Sequence, residues 1–140
     1  MHDPTVTVRL VAELPLGALR ALYEAAGWWG PRDTEETAAA ILRGSACVAA
    51  AFSGEGLIGF GRVLSDSCSD AFVQDVFVLP EWRGQGVGSA LVAALCGWCR
   101  ERGMGWIGLV AQPGTEGLYR RLGFTPLEGH VAMRLPPEPP

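Results

Sequence analysis

The 140-residue chain contains no lysine. Its basic residues are all arginine, and acidic residues outnumber them, giving a net charge of −4. That balance leaves no basic stripe with which to displace counterions from a nucleic acid. It mildly favours a cationic small molecule as partner. No apolar run approaches the ~20 residues needed to span a bilayer, so no membrane association is expected. The opening MHDPTVTVRL does not join a basic segment to an apolar one, so a secretory leader is not expected either. Histidine is scarce, occurring only as His2 and His130.

Cysteine is present but wrongly spaced for chemistry. Cys96 and Cys99 form a C-x-x-C pair about three turns into an expected helix. No helix N-terminus lies there to lower a thiol pKa. Cys47 and Cys68 stand 21 residues apart and supply no second close pair for zinc. The four thiols read as structural, in a reducing cytoplasmic setting. A chain of this length points to one domain and buries roughly 68–70% of the surface its unfolded form exposes. That domain is expected over residues 1–135, with PPEPP at 136–140 as a flexible tail.

The apolar pattern sets an order of elements. VTVRLV alternates as a strand. Leu16, Leu19, Leu22 and Tyr23 recur at helical spacing, and Gly27 ends that helix. A second helix follows, with Asp33 or Thr34 as cap, Glu36 closing a capping box and Gly44 as stop. Residues 46–66 read as a hairpin around Ser53-Gly54-Glu55-Gly56. DAFVQDVFVLP is a strand with apolar residues on both faces, ended by Pro80, which places it centrally in a sheet. Val87 to Arg102 is a helix with Val87, Leu91, Ala94, Leu95 and Trp98 on one stripe, closed by Gly103. GWIGLVA is a buried strand, TEGLYRRLG a short helix, and FTPLEGHVAMRLP a last pair of strands turning near Glu128-Gly129. The order β-α-α-β-β-β-α-β-α-β-β describes a mixed-sheet α/β domain.

The junction VFVLPEWRGQGVGSALV carries glycines at 84, 86 and 88 between a strand end and a helix start. Glycine allows positive φ and close approach of another group. The loop leaves main-chain N–H groups free beside a positive helix end, a combination suited to phosphate. A P-loop needs the lysine this chain lacks. A dinucleotide fingerprint needs G-x-G-x-x-G in the first strand-turn-helix, whereas G-x-G-x-G stands here in mid-chain. On spacing alone a purely structural loop remains an alternative.

The same stretch resembles the signature of the GNAT superfamily of acyl-CoA-dependent N-acetyltransferases. Arg83, Gly86 and Gly88 match its [Q/R]-x-x-G-x-[G/A] positions, and Pro80, Glu81 and Trp82 match the approach. GLYRRLGF, at 117–124, is similar to a second landmark of that family. The resemblance implies a mixed, mostly antiparallel sheet of about 6–7 strands. A central parallel pair would be splayed for coenzyme A, with about four flanking helices. It also implies acetyl-CoA as acyl donor, no metal, and direct transfer to an amine.

Position by position, the amides of Gly84, Gln85, Gly86, Val87, Gly88 and Ser89, with Arg83, are implied to hold the pyrophosphate. The strand edge at Val76, Phe77 and Val78 is implied to pair with the pantetheine, and an N–H of Phe77 or Val78 to polarise the thioester carbonyl. Tyr119 matches the family's acid at the leaving sulfur. For a base the residues offer Asp75, Asp70 and Glu55, or a water chain; Asp75 stands out because a carboxylate inside an apolar strand needs a partner or a task. Gln112-Pro113-Gly114 departs from the family's usual asparagine, and neither histidine sits at a landmark. Trp28 and Trp29, together with Asp75, Glu24 and Asp33, are candidates for the acceptor side, since an indole face attracts an ammonium. The expected acceptor is a small amine, with a peptide amine or lysine as the next choice. A non-catalytic coenzyme A-binding module is the reading from another class. A homodimer is an open expectation, because the apolar final strands leave an edge to pair.

Overall fold

The structure, a computed structural model, describes residues 5–139. His2 and part of the opening segment therefore lie outside the described residues. The chain divides into two compact units, Met1–Leu109 and Val110–Pro140.

The first unit contains a five-stranded sheet in the order β1-β2-β3-β4-β5. The strands are β1 (Val6–Leu10), β2 (Cys47–Ser53), β3 (Gly56–Ser65), β4 (Asp70–Val78) and β5 (Trp106–Gly108). The first four pair antiparallel in sequence, and β4 pairs with β5 in parallel. Helices α1 (Leu16–Ala26) and α2 (Glu35–Gly44) supply Leu19, Leu22, Tyr23 and Ala38 to one core layer, with Val48, Ala50 and Phe60 from the sheet. Helix α3 (Val87–Glu101) supplies Val87, Leu91, Leu95 and Cys99 to the other, with Cys47, Ala49 and Ala51. Alternate residues of β2 thus face opposite layers, as the period of two requires.

Local chemistry fixes the ends. Gly27 takes φ +78°, its N–H reaches Glu24 O at 3.0 Å, and Trp28 N–H reaches Tyr23 O at 2.9 Å. This left-handed cap stops α1 and turns Trp28 and Trp29 directly out of its buried last turn. At α2 the cap is Thr34, but the residue closing the box is Thr37, whose Oγ1 accepts from Thr34 N–H at 2.9 Å. Glu36, the expected partner, is bound instead to Arg43 at 2.7 Å. Asp33 Oδ2 accepts from Gly30 N–H at 2.7 Å and shapes the connection behind the two tryptophans.

β3 lets α3 lie close to the sheet because two of its residues lack side chains. A Cβ on Gly59 would stand 3.1 Å from Leu91 Cδ1 and 3.3 Å from Ala51 Cβ; one on Gly61 would stand 3.1 Å from Leu95 Cδ1. Gly59→Val is therefore expected to lower stability by about 1–3 kcal/mol through overpacking. The check is urea unfolding, with a lower midpoint at unchanged slope; an unchanged midpoint would contradict this account.

Two expectations need correction. β5 ends at Gly108 rather than running through GWIGLVA, because β4 offers it only Asp70–Phe72 as partners. The expected strand pair in FTPLEGHVAMRLP is absent among the described residues, so the sheet has five strands. The turn at Glu128-Gly129 does form, with His130 N–H on Leu127 O at 3.2 Å. Its flanks find no ladder, and Val131, Met133 and Leu135 are 79–94% exposed. Alternation supplies a strand's pattern, whereas its main-chain groups also need a neighbour. Residues 136–139 carry no helix or strand. The second unit's one helix is α4 (Glu116–Arg121), among the described residues.

Candidate active site

β4 leads into the glycine turn through a short 3₁₀ turn at Pro80–Trp82. Gly84 then takes φ +76° and Gly86 φ +82°, and Val87 opens α3. Gly86 offers no side chain to cap the helix, and its first turn holds no acidic residue. The N–H groups of Val87, Gly88 and Ser89 thus face outward at a positive helix end. A Cβ on Gly84 or Gly86 would meet nothing within 4 Å. Packing therefore does not explain these glycines; positive φ and clear space above the loop do. Gly88, by contrast, lies in the first turn of α3. Arg83 ties the loop down: its Nε donates to Val78 O at 2.8 Å, and its guanidinium lies 5.2 Å from the Phe77 ring centre. Gln85 is exposed at the crest.

The edge of β4 is open next to this loop. Its pairing with β5 stops at Phe72, while the strand continues to Val78. On the other side, Leu79 N–H binds Ile58 O at 2.9 Å, Val78 faces Gly59 and Phe77 faces Phe60. Main-chain groups in an antiparallel ladder alternate between the two sides. Phe77 N–H therefore turns toward β3, and Val78 N–H toward the open edge. With Val78 O held by Arg83, that N–H is what Val78 has left to offer an incoming carbonyl.

The side chains of β4 change faces at one residue. Phe60 stands opposite Phe77 and Arg62 opposite Gln74, so Asp75 and Val76 share Gly61 as partner. Asp75 is the extra residue of this bulge and takes φ +58°, a left-handed conformation that aspartate tolerates better than most. Before it, Ala71 and Val73 face α3; after it, Val76 and Val78 do. Asp75 Oδ2 accepts from Tyr23 Oη–H at 2.6 Å and from Arg62 Nε–H at 2.9 Å. Burial, then the Asp75 hydrogen bond and charge, push the Tyr23 phenol far above its ordinary pKa. Tyr23 is consequently a neutral donor.

Aromatic rings surround this group. The Tyr23 ring centre lies 5.8 Å from those of Trp28 and Phe60 and 6.4 Å from that of Trp29. Trp28 in turn lies 5.8 Å from Phe77. The structure thus gathers Trp28, Trp29, Asp75 and Phe77 around Tyr23. Of the other proposed carboxylates, Glu24 is paired with Arg20 on the exposed face of α1, and Glu55 and Asp70 are exposed at a hairpin tip and a strand start. Tyr23 and Arg62 were not singled out from the sequence as site residues. A signal existed for Arg62, since a charge inside the apolar strand GLIGFGRVLS demands a partner.

In the second unit, Gln112 O accepts from Thr115 N–H at 3.0 Å and Thr115 Oγ1–H at 2.7 Å, which closes the turn that starts α4. Tyr119 is half-buried on this helix, edge-on to Phe124 at 5.8 Å. His130 is exposed, its ring Nδ1 3.0 Å from Glu128 O. Burial raises the thiol pKa of Cys47, to about 11, and also those of Cys96 and Cys99, the opposite of what a reactive pair needs. No group of three or more His, Cys, Asp or Glu side chains suited to a metal occurs among the described residues. Among them, too, no helix is long and apolar enough to cross a membrane.

The sequence profile of the Acetyltransferase (GNAT) family matches residues 16–124, from α1 across the open edge and the glycine turn to Tyr119 and Phe124. The chain belongs to the GNAT family. This GNAT chain is similar to histone acetyltransferase TAP1 of Glycine max, 38% identical over 117 residues that cover 76% of this chain and 50% of that one. It is likewise similar to the chloroplastic serotonin N-acetyltransferase 2 of Oryza sativa subsp. japonica, 35% identical over 115 residues covering 79% and 56%. The GNAT chain spans about half the length of these curated relatives. A solved GNAT-family acetyltransferase from Streptococcus pneumoniae TIGR4 superposes with a TM-score of 0.80 at 27% identity, over 96% of this chain and 100% of that one. The mixed sheet with its β4–β5 parallel pair and four helices is the GNAT α/β fold.

Proposed function

We propose that this chain transfers an acetyl group from acetyl-CoA to a primary amine, directly and within one ternary complex. The observation that carries this reading is the Gly84–Gly86 turn, with clear space above both glycines, at the end of a β4 edge left unpaired beyond Phe72. These features fit coenzyme A. Outward N–H groups at the start of α3 suit a pyrophosphate, and a free strand edge suits an extended, amide-bearing arm. Arg83 adds a guanidinium to the phosphate side while fastening the loop. When bound, acetyl-CoA supplies an activated acyl group as a thioester.

Each of the chain's own groups then has a task. Val78 N–H donates to the thioester oxygen and stabilises its developing negative charge. The amine nitrogen forms the new C–N bond, the C–S bond breaks, and the amine gives up a proton to a water chain or to Asp75. Tyr119 donates its phenolic proton to the departing sulfur. Trp28 and Trp29 wall the acceptor side, which supports a small amine with an arylalkyl or aliphatic body. A protein amine is the second reading, favoured by the name of the Glycine max relative.

The test is free-thiol release from acetyl-CoA with a panel of arylalkylamines, alkylamines and peptides bearing a free α-amine or lysine. Small amines are expected to give the highest rates, and product mass to rise by one acetyl group. If coenzyme A binds but no amine stimulates release, the chain is a binding module and the catalytic reading falls. Association of two copies is proposed as well, supported by the exposed Val131, Met133 and Leu135. Light scattering should then report twice the chain mass, and a monomer mass would remove the idea.

A further inference from the structure

The charges and rings around Asp75 go further than a generic amine site, given the reading that the acceptor meets Asp75. Three cations lie in this region: Arg20, Arg62 and Arg83. Two of them already occupy aromatic faces, Arg20 at 5.5 Å from the Trp29 ring centre and Arg83 at 5.2 Å from that of Phe77. Those rings have spent their attraction for a positive group on the protein's own side chains. Of the anions, Glu24 is bound to Arg20, and Asp33 Oδ2 accepts from Gly30 N–H. Asp75 is different. Arg62 and Tyr23 both donate to Oδ2, while Oδ1 has no hydrogen bond from any described residue. The pair is only partly screened, with side chains 13% and 20% exposed.

We infer that Tyr23 and Arg62 are positioning residues that clamp Asp75 by one oxygen and present the other to the acceptor, so that the site selects amines bearing a single positive charge. Arg62 supports this in two ways. It anchors the carboxylate, and it leaves the neighbourhood without the surplus negative charge that a polycation requires. A second ammonium on the substrate would meet Arg20, Arg62 or Arg83 instead of a carboxylate. What remains for the rest of the acceptor is ring surface from Trp28 and Tyr23, which suits a flat apolar body. Tyr23 contributes as a neutral phenol, its proton directed at Oδ2, and its ring holds Trp28 edge-on at 5.8 Å.

The experiment compares 2-phenylethylamine, a monoamine, with spermidine, a polycation. Affinities are measured calorimetrically on protein saturated with coenzyme A, and KM and kcat with acetyl-CoA. The parent chain is expected to bind phenylethylamine at least about tenfold more tightly than spermidine. Tyr23→Phe keeps the ring contacts and is expected to raise the phenylethylamine KM about tenfold with little change in kcat, as loss of one donor to a charged group predicts. Arg62→Gln is expected to shift preference toward spermidine by about tenfold, a change of charge selectivity that a merely structural role would not produce. Should Arg62→Gln fail to fold, Asp75→Asn serves, with phenylethylamine affinity falling about tenfold or more and coenzyme A affinity retained. Tighter binding of spermidine by the parent would overturn the inference. So would an unchanged preference in Arg62→Gln, or a Tyr23→Phe defect confined to kcat. If the parent binds the monoamine selectively yet turns over no amine, the transferase reading fails while this one stands.

Discussion

A Gly86→Val chain is expected to lose coenzyme A affinity by two orders of magnitude or more while still folding. Two separate physical effects produce this. Gly86 sits at φ +82°, where a β-branched residue is strained, at a cost of about 1–2 kcal/mol. For a domain of this size that lowers the melting temperature by only a few degrees. The second effect acts on the ligand. Nothing lies within 4 Å of a Cβ at this position, so the isopropyl group projects into the space a pyrophosphate would fill. Two lost charge-assisted hydrogen bonds at about 1.5–3 kcal/mol each amount to roughly a hundredfold or more in affinity. Gly86→Asn separates the effects, because asparagine tolerates positive φ. It should melt near the parent yet still bind coenzyme A poorly. Calorimetric titration with thermal melting decides the matter: retained affinity in both variants would show that the loop does not grip a phosphate.

Tyr119→Phe should lower kcat by about 10²–10³-fold, the usual worth of a positioned acid, with affinity for coenzyme A unchanged. The ring and its edge-on contact with Phe124 survive the substitution, so stability should hardly move. The deciding comparison uses a second acyl donor whose thiol is more acidic, such as an aryl thioester. A better leaving group needs its proton less, so the defect should shrink with that donor. An equal defect with both donors would assign Tyr119 a role other than proton delivery.

How legible was this site before the structure? Helix α3 was readable end to end, because Val87, Leu91 and Leu95 repeat at its period and Gly103 stops it. The cap at Gly27 and the hairpin turn at Gly54 were equally plain, since each is a local event that a glycine at positive φ signals by itself. The pairing of Thr34 with Thr37 rather than Glu36 was not, because Glu36 had a competing partner in Arg43. The contact of Asp75 with Tyr23 joins residues 52 apart, and that with Arg62 joins residues 13 apart across a bulge. No periodicity encodes such a junction. It depends on which strand residue is left over when two ladders are matched. The strand pair expected after Phe124 failed for the converse reason: Val131, Met133 and Leu135 alternate, but pattern does not specify a neighbour.

That leftover residue has a further meaning. A sheet strand displays its side chains in a fixed two-beat rhythm, and Asp75 is the single skipped beat. It hands a carboxylate to one face and, in the same stroke, sets the phase in which Val76 to Val78 meet the opening beyond. Remove it and both change together: the acid vanishes, and the strand's last residues invert. Recognition of the amine and alignment of its acyl donor therefore cannot be tuned one at a time in this chain by lengthening or shortening β4.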